Sequence, residues 1–261
     1  MDYKDILIID DEKVVIDSII KISELNNYSI DYDEDAISGL AKLRVNRFKL
    51  IICDIMLYEM DGFQFIAELQ KLNIETPVVM TTGYSTLENA VKSLSLGAID
   101  FIPKPFTFDE VASVIKRCIK YYEILEEEKK SEDKLVYVPC PTKYFRLGYS
   151  CWVNKDYDGS VLLGATDLFI KSLTSLKTIE FMEPDETVNQ GSSIIKFFTD
   201  DGSVHNLFSA LSGRIIERNE NLISNKYLLE KDPYFKGWLY RILPSELEHE
   251  MNMLISCSSD R

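Results

Sequence analysis

"ILIIDDE", residues 6–12, sets four branched apolar residues directly against three acids. The apolar run is too short for a helix and shows no polar alternation, so it predicts a strand buried on both faces. The construction recurs along the first half. Leu50–Cys53 runs into Asp54, Val78–Thr81 into Thr82, and Phe101–Ile102 is followed by Lys104. "YSIDYD" (28–33) reads as a fainter strand with period-two alternation. Between these runs the spacing turns helical: Val15, Ile19 and Ile22 share a face, as do Ala36, Ile37, Leu40 and Ala41, then Phe63, Ile66 and Leu69, then Ala90, Val91 and Leu94. Thr107 with Glu110 has the spacing of a capping box, opening a fifth helix that carries Val111, Ile115 and Cys118. Five strand–helix units in a row predict an α/β domain with a doubly wound, five-stranded parallel sheet.

Ligands of such sheets bind at the carboxyl ends of the strands. Asp10 and Asp11 follow the first strand, Asp54 the third, Thr82 the fourth and Lys104 the fifth. If the first and third strands are neighbours, their acids converge on one edge and repel one another, and a hard divalent cation is the usual remedy. One polar residue at a strand end is no more than a helix cap. Five of them at four strand ends are a more specific pattern.

The pieces "IIDDE" (8–12), "CDIMLYEMDG" (53–62), "PVVMTTGY" (77–84) and "GAIDFIPKPF" (97–106) occur in order and at suitable spacing. In these, residues 1–122 resemble the receiver domain of bacterial two-component response regulators, a flavodoxin-like fold. The resemblance implies that Asp54 accepts a phosphoryl group from a histidine kinase or phosphotransfer protein. It implies that Asp10, Asp11, Asp54 and the backbone carbonyl of Met56 hold Mg²⁺, and that Thr82 and Lys104 grip the phosphoryl oxygens. Phe101 falls at the aromatic switch position, whose ring turns inward as Thr82 moves toward the phosphate. Tyr58 stands where the family usually has proline, a change that removes no ligand.

The whole chain has 261 residues, 46% of them apolar and 28% charged, the balance of a globular protein large enough for two domains. Its formal net charge of −14 repels phosphate backbones and anionic lipid, so neither nucleic acid nor membrane is expected as a partner. The N-terminus shows no basic region followed by a long apolar stretch, and no run approaches about 18 apolar residues, so a cytoplasmic protein is expected. Five cysteines without close spacing and two histidines predict neither a disulfide framework nor a zinc site.

After the fifth helix, "IKYYEILEEEKKSEDK" (119–134) reads as a charged, solvated linker helix with Tyr122 and Leu125 as its apolar remainder, placed at 123–138 between the two domains. The second domain is placed at 139–261, and from 143 to 243 the texture changes to short β-prone runs: "SCWVNK", "DYDGS", "VLLG", "TIEFM", "SIIKFF", "SGRIIER" and "GWLYRIL". Thr166–Leu173 predicts a short helix, and Ser245 with Glu248 caps a last one carrying Leu247, Met251 and Leu254. Asp201-Gly202 predicts a type I′ hairpin turn.

"KDPYFKGWLYRILPSELEHEM" (231–251) is similar to the end of the H protein of the glycine cleavage system, and "SGRIIERNENL", "ETVNQG", "LGATDLFIKSL" and "CWVNKDYDG" match further pieces of that family in order. The implied fold is a mostly β lipoyl-type barrel-sandwich hybrid. That family carries lipoate on a lysine at a hairpin tip; here the place falls on Asp201 or Gly202, and the nearest lysine, Lys196, lies inside a predicted strand. No lipoate is therefore expected, and the domain is read as a protein-binding output. No recognition helix, nucleotide-binding motif or catalytic motif is visible, so the chain is read as a phosphoacceptor in a phosphorelay, not an enzyme. A receiver-regulated carrier of one-carbon metabolism and a transcriptional regulator are the alternatives. The cognate kinase, the output's partner and a homodimer through the receiver are left open.

Overall fold

The computed structural model describes residues 4–131 and 135–259; residues 132–134 of the expected linker lie outside them. Strands β1 (Ile6–Ile9), β2 (Ile30–Asp33), β3 (Leu50–Asp54), β4 (Val78–Thr82) and β5 (Asp100–Pro103) form a parallel sheet in the order β2-β1-β3-β4-β5. Every residue of β1, β3 and β4 is buried, which is why they read as unbroken apolar runs. Ile9 pairs with Cys53, Cys53 with Met80 and Asp54 with Thr81, so Asp10, Asp54 and Thr82 come to a common edge of the sheet.

Helices α1 (Lys13–Leu25), α2 (Ala36–Val45), α3 (Gly62–Lys71), α4 (Leu87–Ser95) and α5 (Phe108–Lys130) alternate with these strands. Asp35, Asp61, Thr86 and Thr107 each cap a helix, and Asp61–Gln64 and Thr107–Glu110 form complete capping boxes. The buried faces differ in detail from the spacing. Ile16 is buried where Val15 is only partly so, Phe65 replaces Phe63, and Ile37 is half exposed. Adjacent apolar residues lie about 100° apart on a helix, and a short pattern does not say which of the two faces the sheet.

The tail of α5 is solvated on one side, where Glu123, Glu127, Lys129 and Lys130 are exposed, and buried on the other. Tyr121 and Ile124, rather than Tyr122 and Leu125, are its buried residues. They belong to the same apolar cluster as Leu168 from the second half of the chain.

That second half is two antiparallel sheets. One runs β10-β13-β14-β8-β7-β6-β15 and the other β12-β11-β9. Their strands are β6 (Phe145–Leu147), β7 (Cys151–Lys155), β8 (Val161–Ala165), β9 (Leu176–Phe181), β10 (Thr187–Val188), β11 (Ser193–Thr199), β12 (Val204–Phe208), β13 (Gly213–Arg218), β14 (Trp238–Pro244) and β15 (Ile255–Ser256). Helix α6 (Asp167–Ser172) follows β8 and is capped by Thr166. Val153, Leu163, Ile242, Ile194, Phe197 and Leu207 pack between the sheets. Val91 and Leu94 of α4 join that same core, so each half contributes side chains to the other's apolar cluster.

Three local expectations fail. "DYDGS" is the turn between β7 and β8, where Asp158 accepts hydrogen bonds from both the N–H and the hydroxyl of Ser160. Ser245 caps nothing: its N–H donates to the Ser212 carbonyl, and the helix that follows is only Leu247–Glu250. The hairpin turn is not type I′, because Gly202 has φ +83° while Asp201 is not among the residues of positive φ. Gly202 N–H bonds the Thr199 carbonyl and Thr199 N–H bonds Ser203, which makes a three-residue loop closed by a left-handed glycine.

Candidate functional site

The parallel pairing of β1 with β3 brings Asp10 and Asp54 side by side at the carboxyl edge, both almost fully buried. Lys104, just past β5, points its ammonium between them, 2.7 Å from Asp10 Oδ2, 3.1 Å from Asp54 Oδ1 and 2.9 Å from Glu12 Oε1. The other carboxylate oxygens are held by backbone: Glu12 N–H donates to Asp10 Oδ1 at 3.0 Å and Met56 N–H to Asp54 Oδ2 at 2.9 Å. Thr82 is buried at the end of β4, and its Oγ1 accepts from Tyr84 N–H at 3.1 Å. Phe101 is buried in the cluster that holds Met80 and Ala98. Asp11 and Met56 are exposed at the rim, and Tyr58 is 84% exposed.

Burial pushes both Asp10 and Asp54 above the usual carboxylate range. Lys104 opposes this at both, while Asp54 adds to the rise at Asp10 and Asp11 to that at Asp54. Lys104 itself is held above the ordinary lysine value: its partners Asp10, Glu12 and Asp54 outweigh the cost of burying the ammonium. Electrostatically the pocket sets four carboxylates, counting exposed Asp11 and Glu12, against one cation.

Asp10 Oδ2 and Asp54 Oδ1 are buried without a well-directed hydrogen bond, the lysine facing them only as an ion pair. Two such oxygens with Asp11 nearby make a hard, anionic donor set of the type Mg²⁺ takes. Among the described residues no three His, Cys, Asp or Glu side chains already form a metal-binding group, because Asp11 stays at the rim.

Sequence spacing did not reveal Glu12 as a partner of Lys104, nor Gly62 as the floor of the pocket. A Cβ on Gly62 would stand 2.5 Å from the Asp54 carbonyl and 2.4 Å from Met80 Cε. The signal for Glu12 was present, as the last letter of the opening stretch; that for Gly62 was not, because the crowding comes from the end of β3 and from Met80 of β4.

The second candidate site is the tip of the β11–β12 hairpin. Asp201 and Gly202 occupy it, and no amine is there; Lys196 lies within β11 and pairs with Glu180 at 3.0 Å. Asp201 is bound into its surroundings. Its Oδ1 accepts from Thr199 Oγ1 (2.5 Å), Thr174 Oγ1 (3.1 Å) and Ser203 N–H (3.2 Å), and its Oδ2 faces Lys116 of α5 at 3.4 Å. Partial burial raises the Asp201 carboxyl, but these bonds, Thr199 first, hold it well below the usual range.

A scan against family models matches residues 6–116 to "Response regulator receiver domain" and residues 143–259 to "Glycine cleavage H-protein". Among curated proteins, the transcriptional regulatory protein ZraR of Escherichia coli O157:H7 is 30% identical over 127 residues, which is 49% of this chain and 29% of that protein. The match therefore spans under a third of that relative's length. Among solved structures, a CheY-like receiver domain protein from Methanospirillum hungatei JF-1 is 35% identical with a TM-score of 0.43, covering 50% of this chain and all of that one. A glycine cleavage system H protein from Mycobacterium marinum is 27% identical with a TM-score of 0.38, covering 41% of this chain and 87% of that one.

Proposed function

We infer, from a chain that carries a response regulator receiver domain over residues 6–116 and a glycine cleavage H-protein domain over residues 143–259, a phosphorylation-controlled signalling protein whose H-protein domain binds a partner without carrying lipoate. The observation that carries this reading is the Lys104 ammonium between the buried carboxylates of Asp10 and Asp54.

Asp54 is the phosphoacceptor. Its carboxylate oxygen attacks the phosphorus of a phosphohistidine on a histidine kinase or phosphotransfer protein; the P–N bond breaks, the imidazole leaves and an acyl phosphate forms. Lys104 then holds a phosphoryl oxygen, and Thr82 supplies a hydroxyl to another. Met56 N–H keeps the second Asp54 oxygen oriented during attack. Asp10, Asp11, Asp54 and the Met56 carbonyl would hold Mg²⁺, which when bound neutralises charge on the transferring group. Phe101 is the residue whose packing follows Thr82.

In the second domain the absence of an amine at Asp201 and Gly202 favours binding over acyl transfer. The test is intact-mass spectrometry after incubation with Mg²⁺ and acetyl phosphate. One phosphoryl increment is expected, acid-stable and base-labile, and lost in Asp54→Asn. An increment that persists in the variant would remove Asp54 from the role. A lipoyl increment after co-expression with lipoate ligase would overturn the non-carrier reading.

A further inference from the structure

A carrier hairpin works by protruding; here the hairpin tip is fastened to the receiver. Two residues of α5 bond to it, and a third lies buried beside them. Lys116 Nζ lies 3.4 Å from Asp201 Oδ2, and Ser113 Oγ, one helical turn earlier, accepts from Val204 N–H at 3.3 Å. The third, Arg117, is buried: it donates to Asp100 Oδ2 at 2.5 Å, with its guanidinium 4.9 Å from the ring centre of Phe169 in α6. Val204 opens β12, the edge strand of its sheet, so its N–H is available to a partner outside the sheet. The acid at the tip thus closes its own turn and reaches across to the receiver.

We propose that the β11–β12 hairpin is an intramolecular latch, held on α5 through Asp201–Lys116 and Val204–Ser113 and released when Asp54 is phosphorylated. Its regulatory half rests on the phosphorylation reading above. The route is short. Asp100 opens β5 and Lys104 follows it, the first bound to Arg117 of α5 and the second to Asp54. A phosphoryl group on Asp54 draws Lys104 from its present partners, and the shift passes along β5 to the helix that holds the hairpin. A partner taking the freed hairpin must supply what α5 supplies now: a cation for Asp201 Oδ2 and an acceptor for Val204 N–H. A basic protein surface has that chemistry.

The experiment is amide hydrogen exchange on the full chain, following peptides that cover 193–208 and 108–120. Lys116→Glu reverses the charge at a partly exposed position and should speed exchange at the hairpin tip about fivefold, whereas Lys116→Arg should leave it protected. Acetyl phosphate with Mg²⁺ should produce the same loss of protection in the unaltered chain and none in Asp54→Asn. Unchanged exchange in Lys116→Glu would show that the contact holds nothing. A phosphoryl adduct with unchanged hairpin exchange would overturn the release and leave phosphorylation standing. Absence of any adduct would overturn the phosphorylation reading and the release with it, while the Lys116 variants would still decide whether the hairpin is held.

Discussion

Lys104 is the residue on which the acidic pocket balances. Its side chain is 9% exposed and faces two carboxylates that are more buried still. Removing the ammonium leaves those acids in a poorly solvated site with no counter-charge, a situation that costs about 3 kcal/mol when a buried pair loses one member. Lys104→Met is therefore expected to lower the unfolding free energy at neutral pH, read from urea denaturation, by an amount of that order, and Mg²⁺ should restore a larger share of stability in the variant than in the unaltered chain. Equal midpoints would mean that the acids are not under electrostatic stress. The residues of this pocket were legible because each ends or follows a strand, and a strand's end can be read from where its apolar run stops. Glu12 and Gly62 were not, since their roles depend on what lies across the pocket.

At the scale of elements, α5 joins the two halves and depends on one buried ion pair. Arg117 is 4% exposed, held by Asp100 on one side and stacked on Phe169 on the other. Arg117→Met should destabilise the chain by about 3–5 kcal/mol, because Asp100 is left buried and unpaired. Arg117→Met combined with Asp100→Leu should recover most of that loss, since an apolar pair asks for no counter-charge. Chemical denaturation of the single and double variants checks both values; a double variant as unstable as the single one would place the cost in the lost packing on Phe169. The start of α5 was readable from Thr107 and Glu110 because a capping box is local chemistry. Its tail was not, because "EILEEEKK" is charged enough to pass for a fully solvated helix, and Ile124 is buried in a cluster that also holds Leu168 of the second half. The Ser245 cap failed for the same reason: the spacing was present, but Ser212 had already claimed the backbone.

Across the whole molecule, each half was legible by itself, while their contact was not: Val91, Leu94 and Leu168 look like ordinary core residues of their own domains, and no local pattern marks which core they fill. His205 shows what this contact does to a titrating group. It is buried in β12, with Arg117 and Lys116 of α5 and Asp201 of the hairpin as the charged groups near it. Burial first, then the two cations, push its pKa from 6.5 to about 3, with Asp201 opposing. The sign follows from proton counting. Between those values the unfolded chain binds a proton that the folded chain refuses, so the His205 contribution to stability is full above pH 6.5 and falls as the pH drops toward 3. Asp201, whose carboxyl is held below its ordinary 3.8, adds its own loss only beneath that value, so the two windows separate. Urea midpoints measured from pH 7 to pH 5 should decline in the unaltered chain, and His205→Leu should flatten that decline while leaving the steeper fall below pH 4. A slope between pH 7 and 5 that survives His205→Leu would assign the decline to another group and remove the imidazole from this role.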